Sequence, residues 1–197
     1  MKPPTAPSSA GELSFAVTGL KALACVAVCC LSLSVGVLAQ GPAADAPPTA
    51  LTTLDQKFVR TAAADGLLEV ELSRLAQARA SGGEIKRLAE RLVQNHGQLN
   101  AGLQGIAAAR GVAWPSHLGR ERQAVLDQLA RLTGDEFDQA YGKQLVADHQ
   151  RAVASFDQQA LTGRDAELKA WASAALPMLR EHLQAARALG PNVTLGR

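Results

Sequence analysis

Cysteine is nearly absent from this chain, and its three copies lie close together near the N-terminus. Cys25, Cys29 and Cys30 fall inside one apolar segment, so the rest of the chain has none. If that segment is removed on export, the mature protein has no disulfide and must depend on a hydrophobic core. The Cys-x-x-Cys-His motif that attaches haem covalently is also lacking.

The apolar segment has the features of a secretory signal peptide. It runs from Ala22 to Leu38, follows Lys21, and ends at Val37-Leu38-Ala39, with small residues three and one positions before the expected cut. We predict a signal peptide over residues 1–39, cleavage after Ala39, and a mature protein that is periplasmic or otherwise exported to the cell envelope. An uncleaved membrane anchor is the alternative, which the serine and glycine residues of the segment disfavour.

An excess of one charge is lacking as well. Without residues 1–39, which contain Lys2, Lys21 and Glu12, the chain keeps 18 basic and 17 acidic side chains. Nucleic acids and anionic membrane surfaces are bound through clustered positive charge. We therefore predict no nucleic-acid partner and no strong membrane-surface binding by the mature domain, and the sequence leaves protein partners open.

Strand-like alternation is missing, and aromatic residues make up only 4% of the chain, so the core must be built from leucine, alanine and valine on helices. Residues 40–53, rich in proline, alanine and threonine, are typical of a disordered linker. Capping motifs then open four long helices at Thr53, Ser81, Thr133 and Asp165, which end near Ala80, Arg110, Leu161 and Gly190. A shorter helix is predicted between Trp114 and Arg131.

This pattern predicts an all-α fold. We expect a ferritin-like four-helix bundle at residues 54–190, with the short extra helix between the second and third long helices, and a C-terminal tail at 191–197. The connection from Gly111 to Thr133 is long enough to carry the chain along the bundle, as the ferritin-like arrangement requires. A simple up-and-down bundle with a lid helix is the alternative.

One short pattern occurs three times and predicts where a site would lie. Leu145-Val146-Ala147-Asp148-His149 recurs as Leu92-Val93-Gln94-Asn95-His96 and as Met178-Leu179-Arg180-Glu181-His182. Apolar residues three and four positions before a histidine share its helix face. Three histidines are therefore expected on the buried faces of three helices.

The first helix adds carboxylates to the predicted site. On a helical wheel Asp65 and Glu69 fall close to the middle of its apolar face, where a carboxylate must be paired or bound to a cation. We predict a metal site formed by Glu69, His96, His149 and His182. Counted from the caps, His182 is the member furthest from the common level, although a kink at Pro177 could change that.

Four further residues could hold those ligands in place. Asp148 and Glu181 each precede a histidine and lie about 100° around the helix, where a carboxylate can accept from a neighbouring imidazole. Tyr141 could offer its hydroxyl to the cluster, and Asp65 its carboxylate. The alternative is that the two acids are solvated flanking residues. His117, after Pro115, is expected at the surface.

The chain resembles a bacterial family of exported, ferritin-like proteins of unknown function, often labelled predicted outer-membrane proteins. The resemblance covers roughly residues 55–189 and rests on four stretches: Ala62 to Leu72, Leu88 to His96, the pair Asp148-His149, and Leu176-Pro177 leading to His182. It implies a helical bundle in the cell envelope and no established activity. Asn95 stands where the family more often shows aspartate, which weakens any role for a carboxylate there.

Two functions follow from the residues. The first is binding of one divalent transition metal, Zn, Cu, Ni or Fe, since imidazole with carboxylate suits these ions. The second is a structural or envelope-stress bundle whose polar core is merely hydrogen-bonded. An enzyme ranks last, because no nucleophile motif or phosphate-binding loop occurs, and a di-iron enzyme lacks its Glu-x-x-His motif. Non-covalent haem, held by His149 and Met178, is left open.

Overall fold

The computed structural model describes residues 50–192 of the chain, with side chains up to residue 189. Five helices and no strand occur in this range, which confirms the all-α prediction. The helices are α1 (Thr53–Arg79), α2 (Gly83–Ala109), α3 (Arg120–Ala130), α4 (Gly134–Thr162) and α5 (Ala166–Asn192). The predicted signal peptide, most of the linker and the end of the predicted tail lie outside the described residues.

The start of α1 differs from the prediction by one residue. Thr52, and not Thr53, caps the helix: its hydroxyl oxygen accepts from the Asp55 amide at 3.1 Å and its hydroxyl donates to the Asp55 carboxylate at 2.8 Å. Leu51, which we assigned to the disordered linker, is only 6% exposed and packs in the same apolar cluster as Phe58. A single leucine next to a good cap is enough to extend the ordered core.

The four long helices pack as two close pairs, α1 with α2 and α4 with α5, and α1 also borders α4 while α2 borders α5. Side chains at the helix ends give their directions. The Gly82 amide, at the start of α2, donates to Asp138 near the start of α4 at 2.9 Å. Gln159, near the end of α4, donates to Asp55 near the start of α1 at 2.7 Å. Hence α1 and α4 are antiparallel.

These directions determine the path of the segment that joins α2 to α4. Because α2 ends beside the start of α1 while α4 begins beside the end of α1, residues 110–133 connect opposite ends of the assembly. α3 lies within this connection and packs on α1 and α4. An ion pair of 2.7 Å joins Arg122 of α3 to Asp65 of α1. α3 therefore lies over the groove between α1 and α4.

The core consists of two apolar clusters with a polar layer between them along the helices. One cluster includes Leu72, Leu92 and Leu145, and the other includes Phe58, Leu103 and Phe156 among its members. The chain positions between these two sets are where the predicted metal ligands occur. A polar layer in the middle of an apolar core costs free energy unless its groups find partners. Its contacts are therefore the place to look for function.

Candidate metal centre

Three histidines from three helices meet in the polar layer. His96 of α2, His149 of α4 and His182 of α5 are 3%, 1% and 3% exposed. A nitrogen from each ring lies within 4.8 Å of a nitrogen from both others. The ring centroids are 5.3 to 5.4 Å apart in all three pairs. The prediction that three histidines lie on buried helix faces is therefore confirmed, and the faces converge.

His149 has one ring nitrogen engaged with the backbone and the other directed at His96. Its Nδ1–H donates to the Leu145 carbonyl oxygen, one turn back along α4, at 3.0 Å. That bond places the proton of the neutral ring on Nδ1 and leaves the lone pair of Nε2 available. The Nε2 atoms of His96 and His149 are 3.3 Å apart. Either His96 bridges the gap with its proton, or both lone pairs face a shared cation.

His182 has a polar neighbour that the metal-ligand prediction did not include. Its Nε2 lies 2.9 Å from the side-chain amide nitrogen of Asn95. If this amide turns over, its oxygen accepts from Nε2–H, and the lone pair of Nδ1 is then free. In the sequence, the only indication of this contact is that Asn95 directly precedes His96.

Two ring nitrogens of the cluster lack any partner. The Nδ1 atoms of His96 and His182 are buried and have no hydrogen bond within the described part of the chain. Buried polar atoms are bonded in the large majority of cases, so each exception needs an explanation. Nδ1 of His182 is therefore available to an ion, whereas Nδ1 of His96 lies on the opposite side of its ring from the Nε2 that faces His149.

The histidines are neutral at physiological pH. Burial lowers the pKa of His149 to about 4, partly opposed by its bond to Leu145. Burial, with the charges of His149 and Arg91, lowers the pKa of His182 to about 4. The pKa of His96 is held well below its usual value by burial and by the other two rings. Neutral imidazole is the form that binds metal, so the cluster can accept an ion without first losing protons.

Glu69 of α1 lies against His149, on the side of Nδ1 rather than of Nε2. Its Oε1 is 3.8 Å from His149 Nδ1, and the side chain is buried. Burial, followed by the nearby carboxylates of Asp148 and Asp65, raises the pKa of Glu69 well above its ordinary value. Burial also raises the pKa of Asp148, which lies within hydrogen-bonding reach of Glu69. Two ionised carboxylates form no hydrogen bond with each other, and neither oxygen of Glu69 has a partner among the described residues.

The other predicted site residues lie at different depths. Asp148 accepts from Gln144 and Arg151, and Tyr141 is fully buried with its hydroxyl 3.2 Å from that of Ser73. Asp65 differs from the helical-wheel expectation, because its half-exposed side chain pairs with Arg122 of α3.

Two further titratable residues, one acidic and one basic, lie at the surface. Glu181 is exposed, and its carboxylate lies 3.7 Å from Arg91 rather than beside a histidine. His117 is exposed, as expected, and contacts Ser116.

Along the helix axes, His182 lies closer to the level of the other histidines than the predicted helix caps indicated. His149 is 13 residues before the last residue of α4, and His182 is 16 residues after the first residue of α5. The difference of three residues corresponds to roughly 4.5 Å along the axis, which side chains can span. α5 continues through Pro177 as one helix. The expected offset was two residues too large because α4 ends one residue after Leu161 and α5 begins one residue after Asp165.

A cavity of about 390 Å³ reaches the cluster from the groove between α1 and α4. His96, His149 and Glu69 line its inner part, and Asp65, Arg122 of α3 and Arg151 of α4 line its outer part. The side chains of Asp65 and Arg151 are 51% and 66% exposed, so the outer part reaches the surface. Of the helices described here, none is both long and apolar enough to cross a membrane.

Two solved structures share the fold. One is a DUF305 fragment from Deinococcus radiodurans, with a TM-score of 0.63 and 16% identity, over 72% of this chain and 99% of that chain. The other is a DUF305 protein from Streptomyces coelicolor, named as a candidate secreted protein, with a TM-score of 0.61 and 16% identity, over 72% and 94%.

No curated protein matches the chain. The expectation of a family without known function is confirmed, whereas the ferritin-like and outer-membrane labels stay predictions. Residues 40–189 match a domain of unknown function, DUF4142, and the chain belongs to that family.

Proposed function

We propose that this protein binds one divalent transition-metal ion through His96, His149 and His182. The observation that carries the proposal is the convergence of three buried, neutral imidazoles whose nitrogens lie within 4.8 Å of one another. Three histidines with an open fourth position form a known type of site for zinc, and imidazole also suits copper, nickel and iron.

The spacing of two rings supports this proposal quantitatively. Two nitrogens that each lie at the usual Zn–N distance of about 2.0–2.1 Å from a tetrahedral ion are about 3.3 Å apart. His96 Nε2 and His149 Nε2 are 3.3 Å apart. His182 would complete the triangle with Nδ1, the ring nitrogen that Asn95 does not contact. Its contact with Asn95 holds the ring in orientation, as outer hydrogen bonds commonly do for metal-bound histidine.

Glu69 is proposed as a neighbour of the ligands and not as a ligand, which modifies the sequence prediction. Its oxygen faces the Nδ1 side of His149, whereas His96 faces Nε2. Nδ1–H is engaged with Leu145, so the carboxyl group and the ion lie on different sides of the ring. The carboxylate of Asp148 lies near Glu69 and adds negative potential around it.

A purely structural polar core is the rival function. In such a core each buried N–H would have an acceptor and each carboxylate a donor. Instead, four buried atoms lack partners among the described residues: Nδ1 of His96 and of His182, and both oxygens of Glu69. A polar core made only of the described residues would leave these groups unsatisfied, and the proposed ion would bond to one of them, Nδ1 of His182.

The fold and location are proposed together with the metal. The two helix pairs, with an end-to-end connection carrying α3, fit a ferritin-like four-helix bundle with one crossover. Export is supported by the predicted signal peptide and by the naming of the Streptomyces coelicolor relative as a candidate secreted protein. We propose an exported envelope protein that binds metal.

Thermal unfolding with and without metal tests the proposal. An ion that binds only the folded protein stabilises it by about 2.7 kcal/mol when free ion reaches 100 times its dissociation constant. Metal-free wild type should melt at a higher temperature with Zn, Cu or Ni and return to its starting value with chelator. His182→Ala should lose the response, and His117→Ala, which removes an exposed histidine, should keep it. Identical responses of both variants would contradict the site.

A further inference from the structure

The cavity beside the histidines has a feature that the metal proposal leaves unused. Glu69 lines it, is only 4% exposed, and has no hydrogen-bond partner for either carboxylate oxygen in the described part of the chain. Leaving a buried acceptor without a donor costs free energy that a bound ligand could recover. The missing component is a hydrogen-bond donor.

Among the residues that the structure describes, none donates a hydrogen bond to Glu69. The Gln144 side-chain nitrogen donates to both oxygens of Asp148, at 2.9 Å each, and Arg151 also pairs with Asp148. Arg122 is engaged with Asp65 at 2.7 Å. The polar groups next to Glu69 are the imidazole of His149 and the carboxylate of Asp148, of which the first has its N–H engaged with Leu145. The inner part of the cavity is therefore rich in acceptors.

The charge of the cavity lining also favours a ligand that is a cation. Four carboxylates and two guanidinium groups line the cavity: Asp65, Glu69, Glu121 and Asp148 against Arg122 and Arg151. A partly enclosed space with an excess of negative charge attracts cations. Charge-assisted hydrogen bonds from a cation to carboxylates are stronger than neutral ones.

The walls indicate that the cation has an apolar part. Between the acidic inner end and the charged outer end the lining is aliphatic and aromatic, and includes Leu68, Leu99, Val125, Phe156 and Leu179. The volume of about 390 Å³ falls in the range of small-molecule sites and far exceeds a bare ion.

We propose that this cavity binds a small aliphatic primary amine, with its ammonium group between Glu69 and Asp148 and its stem along Leu99 and Phe156. The ammonium group offers three donors on one compact charge, which matches the two carboxyl groups of this end. The amine site is adjacent to the metal site but does not depend on it. A divalent cation at the two carboxylates, or water alone, is the competing occupant.

Calorimetric titration of the metal-free mature protein tests the proposal with three matched probes. Butylammonium carries charge, donors and stem; 1-butanol lacks the charge; tetramethylammonium lacks the N–H donors. We expect saturable binding of one butylammonium per chain and at least tenfold weaker binding of the other two. Equal binding of 1-butanol would show an apolar cavity only. Two results would overturn the proposal. The first is that butylammonium does not bind, and the second is that the cavity binds Mn²⁺ instead of butylammonium.

Variants separate the amine site from the metal site. Glu69→Gln should weaken butylammonium binding at least tenfold, whereas Glu71→Gln, on the same helix but paired with Arg74 at the surface, should not. Ala62→Leu fills the cavity while leaving both carboxyl groups in place, and should weaken binding as well. His182→Ala should remove the metal response and keep amine binding. If Glu69→Gln and Ala62→Leu both bind like wild type, the proposal is wrong, whatever the metal does.

Discussion

Buried polar groups occur in two regions of this protein, and they are satisfied very differently. At the helix ends, Asp55 accepts from Thr52, Gln159 and the Arg164 amide. Near the opposite end, Asp138 accepts from the amides of Ser81 and Gly82. In the central layer, Glu69 and two of the three histidines have atoms without partners in the described part of the chain.

The difference separates polar groups that hold the fold from those that leave bonding capacity for a ligand. The aspartates at the ends join helices that are distant in sequence, and each replaces water with fixed donors. The central groups lie between two apolar clusters. A buried polar layer whose atoms are partly without partners in the described part of the chain indicates a site.

Acid should have the largest effect, because it acts on the central histidines together. The pKa of His149 and of His182 is lowered to about 4 in the folded protein. Between about pH 6.5, the usual pKa of histidine, and about pH 4, the unfolded chain therefore binds more protons than the folded protein does. The contribution of these histidines to stability is therefore complete above pH ~6.5 and is lost as pH falls towards 4, by roughly 3 kcal/mol for each histidine at most.

Denaturant unfolding from pH 7 to 4 measures this loss. His182→Leu should show a shallower decline over the same range, because one proton fewer is taken up on unfolding. A slope equal to that of wild type would mean that His182 is not held neutral by the fold.

Asp55→Ala should have the next largest effect on stability. The change leaves the Gln159 side chain and the Arg164 amide without an acceptor and removes contacts of the Thr52 cap. We expect a loss of about 3 kcal/mol, measured by denaturant unfolding at pH 7. Asp157→Ala, which breaks the surface ion pair with Arg180, is the control and should cost under about 1 kcal/mol. Similar losses in both variants would remove the distinction between the two kinds of aspartate.

Glu69→Gln should have a smaller effect of the opposite sign. The change removes a buried carboxyl group that lacks a donor and offers an amide that can donate to Asp148. We expect a gain of about 1 kcal/mol at pH 7. Because the pKa of Glu69 is raised in the folded protein, wild type loses stability as pH rises above ~4.5, so the gain should shrink towards zero in acid. A clear loss at pH 7 would show that Glu69 is satisfied in the native protein.

The sequence predicted the helices and the inward histidines because both depend on local periodicity. Leucine and valine three and four residues before each histidine determine its helix face, and no distant contact changes that. The actual neighbours of each group depend on how the helices pack. Asp65 is half exposed and pairs with Arg122 of α3, and Asn95 reaches His182 across the border of α2 and α5. Glu69 lies 3.8 Å from Nδ1 of His149, a contact that no helical wheel can show.

The central claim is that three imidazoles bind one metal ion, and X-ray absorption spectroscopy of the zinc-loaded protein tests it most directly. We predict one ion per chain, with three imidazole nitrogens at about 2.0–2.1 Å and a fourth ligand, an oxygen atom from solvent. His182→Ala should reduce the imidazole count to two, and Glu69→Gln should leave it at three. A spectrum with only oxygen ligands, or one that is unchanged in His182→Ala, would contradict the account.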